Sequence, residues 1–202
     1  CALLLCVALA VPAAAAVPAA SWPAWAEEAL SWRQVESISR EFLSAPGEVV
    51  TRGMAAQLLY DAAGRPDVSR ECPFSDVSGA YADAVTWAAA EGCLAGTGEG
   101  TYEPSRSVTR QEFVAILWRQ AGSPEAAVQG LDQYRDAGAV SDWARTPVLW
   151  SLQAGVMAGR GADQLAPDGT ITVAEALVML KQAVSLPDIG QLRADLDILT
   201  AS

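Results

Sequence analysis

Pro104-Ser105-Arg106-Ser107-Val108-Thr109-Arg110-Gln111-Glu112-Phe113 is the stretch from which the rest of the chain can be read. Thr109 stands where a helix N-cap belongs, its hydroxyl placed to accept the backbone N–H three residues on. Glu112 can reach back to the threonine's own amide, which completes a capping box. Capping accounts for the threonine and the glutamate but not for Arg110. A cation in the first turn faces the positive end of the helix dipole, a penalty of roughly 0.3–1 kcal/mol. The arginine is therefore expected to serve something other than the helix.

The same frame, Pro-x-x-x-[Val/Ile]-Thr, occurs three times, ending at Thr51, Thr109 and Thr172 with spacings of 58 and 63 residues. Such a recurrence is the mark of a repeat architecture. Trp32, Trp87 and Trp150 precede the three copies, spaced by 55 and 63, so the first loop, between Trp32 and Pro46, is three residues shorter than the second. Two copies open on Trp-Ala, at Trp25-Ala26 and Trp143-Ala144, where the middle copy has Ala80-Tyr81. Each unit reads as helix, loop, helix. The aromatic residues of the first helix fall a heptad apart on one face, which predicts core packing. Gly92-Cys93-Leu94-Ala95-Gly96 matches Gly155-Val156-Met157-Ala158-Gly159. Gly92 and Gly155 suit a left-handed helix end, and Gly96 and Gly159 a tight turn. Copy one has Ser37-Ile38 there and no second glycine. The second helix starts at each threonine and carries an apolar stripe: Ala55/Leu58/Leu59, Phe113/Ile116/Leu117 and Ala176/Met179/Leu180.

These landmarks place modules at 22–66, 72–122 and 132–186, with a tail at 187–202 in which Leu192, Leu196 and Leu199 fall at helical spacing. One unit of about 50 residues is marginal alone. Three in tandem predict an all-α, pseudo-threefold helical bundle with a shared core.

Residues 1–20 carry no charge and include Leu3-Leu4-Leu5 and Ala14-Ala15-Ala16. They read as the apolar region and cleavage site of a secretory signal peptide. Pro12 and Pro18 argue against the rival, a spanning helix. The start at Cys1, without methionine or a basic stretch, reads as a truncated N-terminus. The 202 residues carry a net charge of −11, and the 13 basic residues all lie beyond that segment. This disfavours a general attraction to nucleic acid or anionic lipid, and no membrane span is expected after signal removal. Cys72 and Cys93 would remain after export and could form a disulfide. The alignment of Cys93 with Val156 instead favours a buried free thiol. The chain has no histidine, which removes His-based triads and His metal sites. With no phosphate-cradling loop and no calcium motif, neither an enzyme nor a cofactor or metal site is expected.

The middle copy resembles the surface-layer homology (SLH) module of bacterial envelope proteins. The resemblance rests on Phe74-Ser75-Asp76-Val77, Tyr81-Ala82-Asp83-Ala84-Val85-Thr86-Trp87-Ala88, Gly92 to Gly96, Gly100-Thr101-Tyr102-Glu103-Pro104 and Thr109-Arg110-Gln111-Glu112-Phe113. Tyr134-Arg135-Asp136-Ala137 opens the third copy with the same element, and the likeness covers roughly residues 22–186. It implies a three-pronged helical fold that binds secondary cell-wall polysaccharide, commonly with a pyruvylated amino-sugar, in grooves between modules. It also implies non-covalent anchoring at the cell surface, with a fused cargo domain as a further expectation.

By the same resemblance Arg110 is the first candidate for holding the acidic sugar and Arg52 the second. A guanidinium suits a carboxylate, and helix N-terminal amides would add donors. Trp25 and Trp143 are candidates for stacking on a sugar, and Gly96 and Gly159 for close approach of one. Asp76, like Asp136, reads first as a loop cap and second as a ligand contact. Copy three has Thr172-Val173-Ala174-Glu175, so its capping box survives without the arginine; copy one keeps Arg52 but has Gly53 and no glutamate. At most two working grooves are expected. The rival reading is a protein–protein module of the envelope that has kept the fold and lost the sugar site.

Overall fold

The computed structural model describes residues 22–127 and 130–186; the expected signal segment and the 187–202 tail lie outside them. Six α-helices are present among the described residues: α1 (Arg40–Ser44), α2 (Arg52–Ala62), α3 (Ala82–Ala90), α4 (Arg110–Gln120), α5 (Arg145–Gln153) and α6 (Val173–Val184). No strand longer than an isolated bridge occurs among them. The fold is the all-α, pseudo-threefold bundle that the repeats predict.

Thr51, Thr109 and Thr172 cap α2, α4 and α6, each hydroxyl accepting the N3 amide at 3.3 Å. Both expected capping boxes close, with Glu112 and Glu175 accepting the amides of Thr109 and Thr172 at 2.8 and 3.0 Å. The residues just before the threonines bond head to tail in a ring. Val50 N–H donates to Ile171 O (2.9 Å), Ile171 N–H to Val108 O (3.2 Å) and Val108 N–H to Val50 O (2.9 Å). All three side chains are buried around this ring. The stripes on α2, α4 and α6 are buried as expected.

Each second helix packs on the first helix of the next module. α2 meets α3, α4 meets α5, and α6 closes the circle on the segment Ala24–Ser31 of module one. Lys181 Nζ on α6 bonds Glu28 Oε1 at 2.6 Å across that closing seam.

Module one departs from the expected helix. Ala24–Ser31 and Arg33–Ser37 are 3-10 helices separated by an extended Trp32. Ala26, Ala29, Trp32, Val35 and Ile38 recur every third residue, and all five pack in or against the core. A 3-10 helix has three residues per turn and eclipses i with i+3, so the three-residue period keeps this face inward. The heptad of tryptophans misses that period. Trp22 extends the contact, its Nε1 donating to Leu43 O at 2.9 Å.

Gly92 and Gly155 end α3 and α5 with φ of 73° and 69°. The next amides, of Cys93 and Val156, reach back to Ala88 O and Ser151 O, the Schellman closure. Gly96 and Gly159 need space instead. A Cβ on Gly96 would lie 2.6 Å from Thr101 O and 2.7 Å from the Phe74 ring; on Gly159 it would lie 2.7 Å from Gln164 O. Cys72 and Cys93 are free thiols, and Cys93 is buried.

Gly96→Ala is expected to destabilise the chain by about 1–3 kcal/mol through overpacking. Gly138, where an added Cβ meets nothing within 4 Å, should accept alanine with no loss. Urea midpoints of the two variants check this.

Candidate functional site

The modules meet where a second helix begins. The first two amides of each such helix are already bonded to the neighbouring module. Arg52 and Gly53 N–H donate to Arg106 O and Pro104 O, Arg110 and Gln111 to Gly169 O and Pro167 O, and Val173 and Ala174 to Glu48 O and Pro46 O. With the third amide on the capping threonine, the first three amides of each of these helices are committed within the protein and are not left for a ligand. The prolines of the repeat are explained here, since each offers the carbonyl that closes the next seam.

Arg52 and Arg110 do the same thing with their side chains. Arg110 is 2% exposed. Its Nε donates to Leu165 O (3.0 Å), Nη2 to Ala158 O (2.6 Å) and Nη1 to Glu175 Oε1 (3.2 Å), all in module three. Arg52 is 8% exposed. Its Nε and Nη2 donate to Tyr102 O and Ala95 O, both at 2.7 Å, in module two. Its Cζ lies 4.4 Å from the Tyr102 ring centroid, and the Tyr102 hydroxyl donates to Arg52 O at 2.8 Å. Burial pulls both guanidinium groups below the ordinary arginine value, with Tyr102 opposing it at Arg52 and Glu175 at Arg110. Hydrogen bonds to a charged group are worth roughly 1.5–3 kcal/mol each. The arginines thus bolt seams one–two and two–three. Val173 takes their place at the third seam, where module one lacks the Gly-x-x-Ala-Gly loop whose carbonyls an arginine would need.

Asp76 holds the turn that follows that loop. Its carboxylate accepts Tyr102 and Glu103 N–H at 2.8 and 2.7 Å, and Asp136 accepts Leu165 and Ala166 N–H at 2.9 and 2.7 Å. Glu103 and Ala166 have φ of 58° and 50°, an unfavourable region for residues with a Cβ. The aspartates fix that turn, in keeping with a loop-capping role. Seam one–two therefore unites Arg52, Asp76 and Gly96, and seam two–three unites Arg110, Asp136 and Gly159.

Trp25 and Trp143 are 59% and 54% exposed, unlike the other tryptophans of the described chain and contrary to core packing. Trp143 lies two residues from Ser141, whose N–H donates to Gln111 Oε1 at 2.9 Å, so its segment packs at the start of α4. Trp25 belongs to the closing seam with α6, where Val173 stands at the position of Arg52 and Arg110. Sequence reasoning missed Gln111, which also donates to Asp168 at 2.6 Å, and the outer arginines of the seams. Arg106 pairs with Glu112 at 2.7 Å and Arg160 with Glu175 at 2.8 Å. No repeat landmark marks these arginines, because they sit at non-equivalent positions.

Burial pushes four seam carboxyls up, and their partners more than offset it. Backbone N–H groups do so for Asp76 and Asp136, Arg106 with the Thr109 amide for Glu112, and the Thr172 amide with Arg160 for Glu175. All four sit below their ordinary values. The unfolded chain then takes up protons first as pH falls. Stability from these groups is full above about pH 4–5 and is lost on further acidification. Urea midpoints should fall between pH 5 and 3, and less steeply in an Asp76→Asn/Asp136→Asn chain. Arg110→Ala should cost about 3 kcal/mol by stranding buried carbonyls. The exposed Arg145→Ala should stay within about 0.5 kcal/mol by the same measurement.

Residues 73–114 and 133–177, within the second and third repeats, match the model of the S-layer homology domain. The chain is 29% identical over 171 residues to an amylopullulanase of Thermoanaerobacterium thermosulfurigenes, an alignment covering 77% of this chain and 9% of the relative. It is 27% identical over 164 residues to the exoglucanase XynX of Acetivibrio thermocellus, covering 77% and 15%. The chain thus spans a small part of the length of these relatives. The first repeat lies outside both matched segments. Two segments of the chain, in the register shared by its second and third repeats, thus match the S-layer homology domain.

Proposed function

We propose that this chain holds a larger exported protein on the bacterial cell wall by binding secondary cell-wall polysaccharide, through an acidic, pyruvylated amino-sugar, in the grooves between modules. The observation that carries the reading is the shared region itself. Two relatives with the names of different enzymes, an amylopullulanase and an exoglucanase, have it in common, as 9% and 15% of their lengths. A region common to both suits a task common to both, attachment rather than catalysis, and this chain is assigned no reaction.

Within the grooves, Arg110 and Arg52 place positive charge at two seams, Gly96, Gly159 and Asp76 shape the loops beside them, and Trp143 and Trp25 offer exposed rings for stacking on sugar. Trp143 is the best single probe, because it is exposed and its removal leaves the core intact. A protein-binding role is the second reading, favoured by the missing arginine at Val173 and the rebuilt loop of module one.

Purified wall should retain the chain, and wall stripped of its non-peptidoglycan polysaccharide should not; equal retention on both would sink the polysaccharide reading. Trp143→Ala should weaken retention about tenfold, the value of one stacked ring, with an unchanged melting temperature.

A further inference from the structure

At seam one–two the structure leaves a cleft of about 350 Å³ that includes Tyr60 on α2, Ala80, Tyr81 and Asp83 at the start of α3, and Glu41 and Arg65 of module one. Glu41 and Asp83 are exposed and have no ion-pair or hydrogen-bond partner among the described residues. The one cation, Arg65, is already committed to the buried Asp61 at 2.8 Å. The field in the cleft is negative. Burial first, then Glu41 and Glu48, hold the Tyr81 phenol above its ordinary value, and at Tyr60 burial is reinforced by Asp83 and Asp67.

The chain's own pseudo-symmetry says what such a place accommodates. By the register of the repeats, Tyr60 corresponds to Lys181 and Asp83 to Glu28. At the closing seam those two residues form an ammonium–carboxylate pair at 2.6 Å, with a second bond from Lys181 Nζ to Glu28 O at 3.2 Å. At seam one–two the carboxylate is kept, the lysine is replaced by a tyrosine, and the room is open. It is open also because Ala80 stands where Trp25 and Trp143 stand at the other seams.

We infer that the cleft between modules one and two binds a primary ammonium group carried on a glycan, that of an unacetylated amino sugar, between the carboxylates of Asp83 and Glu41 and the faces of Tyr60 and Tyr81. An ammonium over a tyrosine face and beside a carboxylate is favoured by both groups. The inference relies on the wall-anchoring reading only for the amine being borne by a glycan. It concerns a different set of residues from the arginine seams.

Calorimetric titration with the free-amine tetramer of glucosamine tests it, with the fully N-acetylated tetramer as comparison. The free-amine tetramer should bind saturably and the N-acetylated one should not. Asp83→Asn should weaken binding about tenfold. Ala80→Trp, which fills the cleft at an exposed position, should abolish it with an unchanged far-UV melt. Absence of binding, equal binding of both tetramers, or an equal loss in the exposed control Glu125→Gln would overturn the inference. Binding of the tetramer by a chain that ignores wall polysaccharide would sink the anchoring reading and leave this one standing.

Discussion

The ring of three backbone hydrogen bonds among Val50, Val108 and Ile171 is the constraint on which the rest depends. It brings three helix N-termini to one axis, an arrangement that opposes itself, since like ends of three dipoles converge. The neighbouring loops resolve the conflict. Each helix start receives two carbonyls from the next module, so the exposed amides of one repeat and the free carbonyls of another neutralise each other. The three prolines, the three threonines and the loop aspartates are parts of this one device.

Charge follows the same logic. A chain with a net charge of −11 buries two arginines at its seams, where a cation is costly to desolvate. The backbone carbonyls of a neighbouring loop meet that cost, helped by Glu175 in one case and the Tyr102 ring in the other. The arginines join modules, and any task they have toward a wall polymer is added to that one. Gly53 reflects a similar accommodation. An added Cβ would lie 2.5 Å from the Tyr81 ring, so the weak first turn of α2 is the condition for seating a bulky neighbour.

Local features were legible in the sequence. Thr109 with Glu112, the buried stripes, and Gly92 and Gly155 all report on atoms a few residues away, and periodicity captures them. The partners of Arg110 were not legible, because Ala158 and Leu165 become neighbours only after the ring closes. The absence of arginine at Val173 read as a lost site; closure explains it, since the module following the third is the first, whose loop differs. The exposure of Trp25 and Trp143 runs against the core packing that their spacing predicts, for a related reason. A heptad spacing identifies a face of an α-helix, but Trp25 lies in a 3-10 helix and Trp143 just before α5, where that geometry does not apply.

The pair of Lys181 and Glu28 joins residues 153 positions apart. Repeats in an open stack add one neighbour at a time and can fray from an end; a closed ring has no end from which to fray. Deleting the first repeat would leave the helix start at Val173 without its two carbonyl partners, on the far side of the chain. Closing so long a loop is slow but costs only logarithmically in length. The unit repeated in the sequence is therefore not the unit that folds: three copies make one cooperative body.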